Sequence, residues 1–90
     1  MTTVLEFRQK IWDMASLVEV EPKDICLRRM KRKWGSCSTK GRLTYNKDII
    51  LEPEELQLEV ILHELLHLKY PNHGKMFHIM LRIYLQRVGS

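Results

Sequence analysis

The sequence predicts a small α+β domain with an N-terminal helix, a sheet of two or three short strands, a buried central helix and a C-terminal helix. Three observations support this class. Apolar residues recur with helical spacing at both ends of the chain, strand-like stretches surround a turn in its middle, and the run LQLEVILHELLHL is apolar on nearly every face. A chain of 90 residues has room for one core. We therefore expect a single domain over residues 1–90.

The first helix is predicted over residues 3–18. Its apolar positions recur at spacings of three and four and share one helical face: Val4, Phe7, Ile11, Met14 and Val18. Thr2 or Thr3 can cap the N-terminus. Glu21-Pro22 is predicted to end the helix, because proline disfavours a helical residue before it.

A small sheet is predicted next. Residues 24–38 contain strand-like apolar positions, but their alternation is poor through a basic run. Thr39-Lys40-Gly41 predicts a turn, and residues 42–45 predict a short returning strand. The expected result is a hairpin or a sheet of two or three strands.

The central helix is predicted over residues 49–69. Pro53 suits its first turn, and the neighbouring glutamates complement the helix dipole. Pro71 should end it near Tyr70. Asn72 is then predicted to cap a last helix from about His73 to Arg87, which carries more apolar residues than one buried face requires.

The composition excludes several classes of protein. An apolar fraction of 44% is ordinary for a globular chain and argues against disorder. Cys26 and Cys37 are too few for a disulfide scaffold, and free thiols in a reducing compartment are the simpler interpretation. The N-terminus has no signal-peptide core, and no apolar run approaches the roughly 18 residues of a membrane span. We expect a cytoplasmic protein with no membrane segment.

The net charge of +4 owes much to residues 28–33, RRMKRK. Such a run can bind nucleic acid. More often it consists of solvated side chains, here on a sheet edge, where lysines discourage aggregation. A nucleic-acid partner therefore stays open without being favoured.

The central helix carries the motif His63-Glu64-Leu65-Leu66-His67. Four residues place His63 and His67 about 40° apart and one turn along the helix, so both imidazoles can bind one ion. Glu64 lies about 100° from His63, where it can reach a water activated by the ion without competing for it. This arrangement is typical of zinc hydrolysis with a glutamate as general base. Two unpartnered core histidines and a glutamate would instead cost on the order of several kcal/mol.

His73, six residues beyond His67, is the expected third ligand of one zinc ion per chain. In a continuous helix it would lie some 240° around and face away. Pro71 and Asn72 interrupt the helix, so the chain can return toward the ion. We expect His73 in the first turn of the last helix, where the dipole favours a neutral imidazole.

Three other residues are weighed as ligands. Glu59 stands one turn before His63 on the same face, and Cys37 is a thiol that zinc would bind well. His78 lies about 140° around the helix from His73. We expect His78 at the surface or at the edge of the core.

These features together resemble a known group. The spacing HExxH-x5-H, the upstream Trp34-Gly35-Ser36-Cys37-Ser38 and the Pro-Asn-His-Gly at residues 71–74 resemble the minigluzincins and the bacterial YgjP-like (DUF45) proteins. SprT/Wss1-type proteases and the catalytic domains of M48 and M56 membrane peptidases are more distantly similar. The resemblance covers about residues 25–80. It implies a minimal zincin fold, zinc held by the two motif histidines and the later one, and the motif glutamate as base.

On this interpretation the chain is a zinc metalloendopeptidase that acts on a peptide or protein. The substrate is expected to lie extended along a strand edge and to pair with it through backbone hydrogen bonds. The candidate substrate-binding residues are Trp34, Gly35, Ser36 and Cys37, although core packing is an equally good expectation for Trp34. Tyr45, Tyr70 and Tyr84 are candidates for polarising the scissile carbonyl, with a core or surface position the better expectation for each.

The resemblance also implies a zymogen, in which a C-terminal segment blocks the cleft within one molecule or is exchanged between two. The apolar last helix makes residues after about 82 the candidate latency segment, and a homodimer through helix exchange the candidate assembly. Two other functions stay open. One is a DNA-associated protease or binding module, and the other is a structural zinc domain closed by Cys37 or Glu59.

Overall fold

A computed structural model describes residues 2–89, and it confirms the predicted α+β class. The chain forms α1, β1, β2, β3, a 3-10 helix, α2 and α3 in that order: Val4–Val18, Asp24–Arg28, Gly35–Cys37, Arg42–Asn46, Lys47–Leu51, Glu54–Leu66 and Lys75–Gly89. The predicted single domain over residues 1–90 includes Met1 and Ser90, which lie outside the described residues.

Both ends of α1 are closed by specific caps. Glu6 donates its backbone N–H to the Thr3 hydroxyl at 3.1 Å, and the Thr3 N–H donates to the Glu6 carboxylate at 2.9 Å, which is a capping box. At the other end Glu19 adopts φ 64°, a left-handed conformation that ends many helices. The helix therefore stops at Val18, ahead of the Glu21-Pro22 that the sequence predicted as its break.

The sheet has three strands in the order β1-β3-β2. The central strand β3 runs parallel to β1 and antiparallel to β2, so β2 and β3 form the predicted hairpin and β2 is an edge strand. The basic run was expected to consist of solvated side chains on a sheet edge. Its basic side chains are exposed, but only Arg28 belongs to an edge strand, and residues 29–33 form the loop between β1 and β2 instead.

The central helix is shorter than predicted at both ends. Residues 47–51 form a separate 3-10 helix and Pro53 occupies the N-cap position of α2, because proline holds Glu52 in an extended conformation, at φ −92° and ψ 163°. At its C-terminus α2 ends at Leu66, and His67 is the cap residue. A tight turn follows, in which the Tyr70 N–H donates to the Leu66 carbonyl at 2.7 Å.

Two hydrophobic clusters flank α2. The first joins α1, the sheet and one side of α2, and its fully buried members are Phe7, Ile11, Leu43, Tyr45, Ile49, Ile61 and Leu65. The second joins α2 to α3 through Val18, Leu62, Leu66, Phe77 and Tyr84. α2 is thus buried on most of its surface, as predicted from its apolar sequence.

The last helix begins at Lys75, two residues later than predicted, so His73 precedes it instead of lying in its first turn. One face of α3 packs on the second cluster, and this face includes residues beyond 82: Tyr84, Leu85 and Val88. Three apolar side chains on α3 stay exposed, namely Met76, Ile79 and Ile83. The helix therefore carries more apolar surface than its own core covers, as predicted.

No helix within residues 2–89 combines the length and the apolar character needed to cross a bilayer.

The capping box of α1 gives a prediction about stability. Thr3→Ala removes the hydroxyl that accepts from Glu6, and we expect it to lower the free energy of unfolding by about 1 kcal/mol, measured by urea denaturation. Thr39→Ala, at an exposed turn residue, is the matched control and should change stability by less than about 0.5 kcal/mol. Equal losses in the two variants would contradict the capping account.

Candidate metal centre

Three histidines meet at the C-terminal end of α2. His63 lies in the last turn of α2, His67 caps it, and His73 belongs to the segment that connects α2 to α3. Their ligand atoms all lie within 4.8 Å of one another. The Nε2 atom of His73 is 3.2 Å from that of His63 and 2.8 Å from that of His67. The turn after Leu66 thus brings back a residue that a longer helix would have carried away.

This spacing fits a single metal ion. Nitrogen ligands about 2.0–2.1 Å from a tetrahedral zinc ion lie roughly 3.3 Å from one another. The separation of 3.2 Å between His73 and His63 agrees with this value. The separation of 2.8 Å between His73 and His67 needs a shift of only about half an ångström to reach it.

The surroundings favour the neutral imidazole that metals bind. Burial, and then the charges of the neighbouring histidines, lower the pKa of His63. Burial also lowers the pKa of His67, although the hydrogen bond to the Tyr70 carbonyl opposes this. That bond joins Nδ1 of His67 to the carbonyl at 3.3 Å. Since a carbonyl only accepts, Nδ1 carries the proton and Nε2 is left free as a ligand.

The aromatic ring of Phe77 packs against all three imidazoles. Phe77 is buried to 1% exposure, and its ring centroid lies 5.0 Å from that of His63, 4.7 Å from His67 and 4.9 Å from His73. Sequence reasoning placed Phe77 among the apolar residues of the last helix and missed this role. Its position four residues after His73, in the first turn of α3, was the available signal in the sequence.

Glu64 lies on α2, next to His63, and its side chain faces the sheet. Only 7% of it is exposed, and burial raises the pKa of its carboxyl to about 7, with the charge of Lys33 acting in the opposite direction. Gly35 of β2 makes this position available. A Cβ atom at Gly35 would lie 2.9 Å from Cγ of Glu64 and 3.2 Å from the Thr44 carbonyl oxygen. Gly35 was predicted only as a substrate contact. Because it has no side chain, it also leaves the space that the Glu64 side chain occupies.

The three histidines and Glu64 line an open cleft of about 870 Å³. The lining also includes β2 with the turn that follows it, residues 35–41, and residues 19–21 with Lys23. Of the predicted substrate-binding residues, Gly35, Ser36 and Cys37 line this cleft. Trp34 does not line it and packs, partly buried, against the first hydrophobic cluster.

The rival ligands lie apart from the three histidines. Within residues 2–89, the one group of side chains close enough to hold a metal consists of His63, His67 and His73. Glu59 and His78 are exposed, with the His78 ring 6.2 Å from that of His73. Burial and then the charge of Glu64 raise the pKa of the Cys37 thiol, which disfavours the thiolate that zinc would bind.

The three candidate tyrosines pack in or against the hydrophobic clusters. Tyr45 is fully buried and donates its hydroxyl to the Ile61 carbonyl at 3.1 Å. Tyr84 is buried in the second cluster, and half-buried Tyr70 packs against that cluster. None of the three lines the cleft.

The chain is similar to known metallopeptidases. The sequence profile of the YgjP-like metallopeptidase domain matches residues 2–88. The crystal structure of the metallopeptidase zymogen of Methanocaldococcus jannaschii jannalysin superposes with a TM-score of 0.77 at 34% identity, covering 87% of this chain and 80% of that one. No curated protein matches this chain.

A second solved structure supports the fold alone. The metallopeptidase zymogen of Pyrococcus abyssi abylysin superposes with a TM-score of 0.73 at 20% identity, covering 83% of this chain and 75% of that one.

The contact between Gly35 and Glu64 can be tested by adding one methyl group. We expect Gly35→Ala to lower the free energy of unfolding of the metal-free protein by about 1–3 kcal/mol, because the new Cβ meets both the Glu64 side chain and backbone. The measurement is urea denaturation in the presence of a chelator. Gly89→Ala, where a Cβ meets nothing within 4 Å, is the control, and a Gly35 variant as stable as this control would refute the contact.

Proposed function

The chain belongs to the family of YgjP-like metallopeptidase domains, and we propose that it is a zinc-dependent endopeptidase. In this proposal His63, His67 and His73 bind one zinc ion and Glu64 is the general base. The observation that carries it is the meeting of three imidazoles within 4.8 Å in a cleft that also contains a buried carboxylate.

Each partner has a defined chemical task. A zinc ion held by the three histidines would polarise the scissile carbonyl and acidify the attacking water. Glu64 would accept a proton from a water in the cleft and later donate it to the leaving amine. Its carboxyl lines the cleft beside the three histidines, where it can reach a water, and in the metal-free protein burial raises the pKa of this carboxyl to about 7.

We propose that the substrate binds as an additional strand on β2. The edge of β2 that faces away from β3 has backbone groups available for pairing, and Gly35, Ser36 and Cys37 line the cleft beside Glu64. Backbone pairing along an edge does not require a chain terminus. This supports cleavage within a chain, hence an endopeptidase.

We also propose that the protein can exist in a latent state. The jannalysin and abylysin structures are both described as metallopeptidase zymogens. Among the described residues none after His73 lines the cleft, and the end of α3 packs on the second hydrophobic cluster. Exchange of α3 between two molecules, promoted by its exposed Met76, Ile79 and Ile83, is therefore the form of latency that we favour over blockage within one molecule.

Two further features bear on the proposal. Cys26 and Cys37 are free thiols, which supports action in a reducing compartment such as the cytoplasm.

A purely structural zinc site would have a fourth protein ligand, and neither Cys37 nor Glu59 belongs to the ligand cluster found within residues 2–89. An open fourth position is what catalysis requires.

The role of Glu64 gives the first functional prediction. Glu64→Gln should bind zinc as the wild type does and lose at least about a hundredfold in kcat/KM, because the amide cannot accept the proton. Zinc content is measured by atomic emission and hydrolysis with a quenched fluorescent peptide. Glu59→Gln, exposed on the same helix, should keep its activity. Undiminished hydrolysis by the Glu64 variant would exclude it as the base.

The proposed latency gives a second prediction. If exchange of α3 blocks the cleft, specific activity should fall as protein concentration rises and dimers form. Ile79→Asn combined with Ile83→Asn removes exposed apolar surface from α3 and should keep the protein monomeric and its specific activity constant. Light scattering and kinetics are recorded on the same samples.

The control for this experiment is Leu5→Asn combined with Leu51→Asn, which changes exposed leucines outside α3. It should behave like the wild type. Wild-type activity that is independent of concentration, in a protein that stays monomeric, would contradict latency by helix exchange.

A further inference from the structure

The basic loop, defined here as Arg29–Lys33 between β1 and β2, supplies no metal ligand, and its electrostatic link to the site is the charge of Lys33, which lowers the pKa of Glu64. We propose that it is a subsite for acidic segments of the substrate, so that the enzyme prefers to cut chains that carry Asp or Glu on one side of the scissile bond. This inference rests on the proposed function, since it uses the same cleft and the same substrate strand.

The basic loop is held in a defined shape by one buried side chain. Asn46, at the end of β3, is 6% exposed, and its Nδ2 donates to the carbonyls of Met30 at 2.9 Å and Lys33 at 3.0 Å. Its Oδ1 accepts the N–H of Asp48 at 3.0 Å. A loop held this way loses little entropy when a ligand binds, which favours recognition.

The charges of the basic loop are largely unneutralised. Arg29, Lys31, Arg32 and Lys33 are all exposed. Among the described residues the one ion pair that involves the loop joins Arg29 to Asp48 at 4.0 Å, with both side chains mostly in solvent, and such a pair contributes little. Apart from this pair and the charge interaction of Lys33 with Glu64, the loop presents its positive charge to solvent.

The basic loop leads directly into the strand proposed to bind substrate. The Trp34 carbonyl accepts the Asn46 N–H at 2.7 Å, so pairing with β3 continues from Gly35 back to the loop. Gly35 in turn contacts Glu64. With about 3.3 Å of chain per residue, a substrate extended along β2 past Gly35 would bring residues roughly two to five positions from the scissile bond beside the loop.

The opposite end of the cleft lacks this excess of charge. The lining of the cleft contains Lys23, Lys40 and Lys69 but also Glu19 and Glu21, so most of these charges are balanced. Residues 29–33 do not line the cleft themselves but adjoin its Gly35 end, where four cationic side chains have one exposed acidic partner. The preference for acidic residues should therefore apply to one side of the scissile bond and not to both.

A peptide fits these observations better than a nucleic acid does. The densest run of positive charge is one short loop, and that loop is continuous with the edge strand on which we propose that extended polypeptide binds. Specific nucleic-acid binding buries a larger and more widely basic surface. Binding to DNA is accordingly an outcome that would count against the proposal.

The experiment uses synthetic fluorescent peptides with a neutral centre and a block of glutamates on its N-terminal side, on its C-terminal side, or replaced by glutamines. Binding to the zinc-loaded Glu64→Gln protein is measured by fluorescence anisotropy, and hydrolysis by the wild type is measured by mass spectrometry. One of the two glutamate peptides should bind about three- to tenfold more tightly than its glutamine counterpart in about 0.1 M salt.

Two double variants locate the effect. Lys31→Glu with Arg32→Glu should abolish the preference, whereas Lys75→Glu with Arg82→Glu, which makes the same change of charge on α3, should keep it. In about 1 M salt, where screening acts within about 3 Å, the preference should fall below about twofold. The same order of preference should appear in kcat/KM of the wild type.

The possible results separate the two proposals. Equal binding of glutamate and glutamine peptides, or a preference that survives Lys31→Glu with Arg32→Glu, would overturn the acidic subsite. So would a labelled DNA oligonucleotide that binds more tightly than either glutamate peptide through the same two residues. A loop-dependent binding preference without cleavage of any peptide would support the subsite and contradict the proposed endopeptidase.

Discussion

The burial of α2 between two hydrophobic clusters is the constraint on which the rest of the structure depends. Ile61 and Leu65 pack toward α1 and the sheet, and Leu62 and Leu66 pack toward α3. A helix enclosed on both sides has one narrow face left for polar groups, and His63 and Glu64 occupy positions at the cleft. The same helix is therefore the centre of the core and the base of the site, and a small domain can hold both.

The sequence predicted the elements that follow from periodicity. The apolar spacing of α1, the all-round apolar character of α2 and the turn at residues 39–41 each correspond to a structural element. The breaks were predicted less well, because backbone conformation at single residues decides them. Glu19 adopts a left-handed conformation despite being neither Gly nor Asn, and Pro53 separates a 3-10 helix from α2.

The sequence predicted the site residues that lie together on one helix better than the residues that other segments of the chain contribute. The spacing of His63 and His67 follows from helical geometry alone. The structure also brings His73 to these two histidines, but from the segment before α3. The packing of Phe77 against the three imidazole rings was not predicted. The contact between Gly35 and Glu64 depends on how β2 docks against α2. No pattern within β2 encodes that docking, so sequence alone could not predict it.

The central claim is that His63, His67 and His73 together bind one zinc ion. X-ray absorption spectroscopy of the zinc-loaded protein tests this directly, together with zinc content per chain. The account predicts one zinc ion per chain with nitrogen ligands at about 2.0–2.1 Å, and loss of one imidazole from the shell in His73→Ala. Sulfur at about 2.3 Å, or a shell unchanged in His73→Ala, would contradict it.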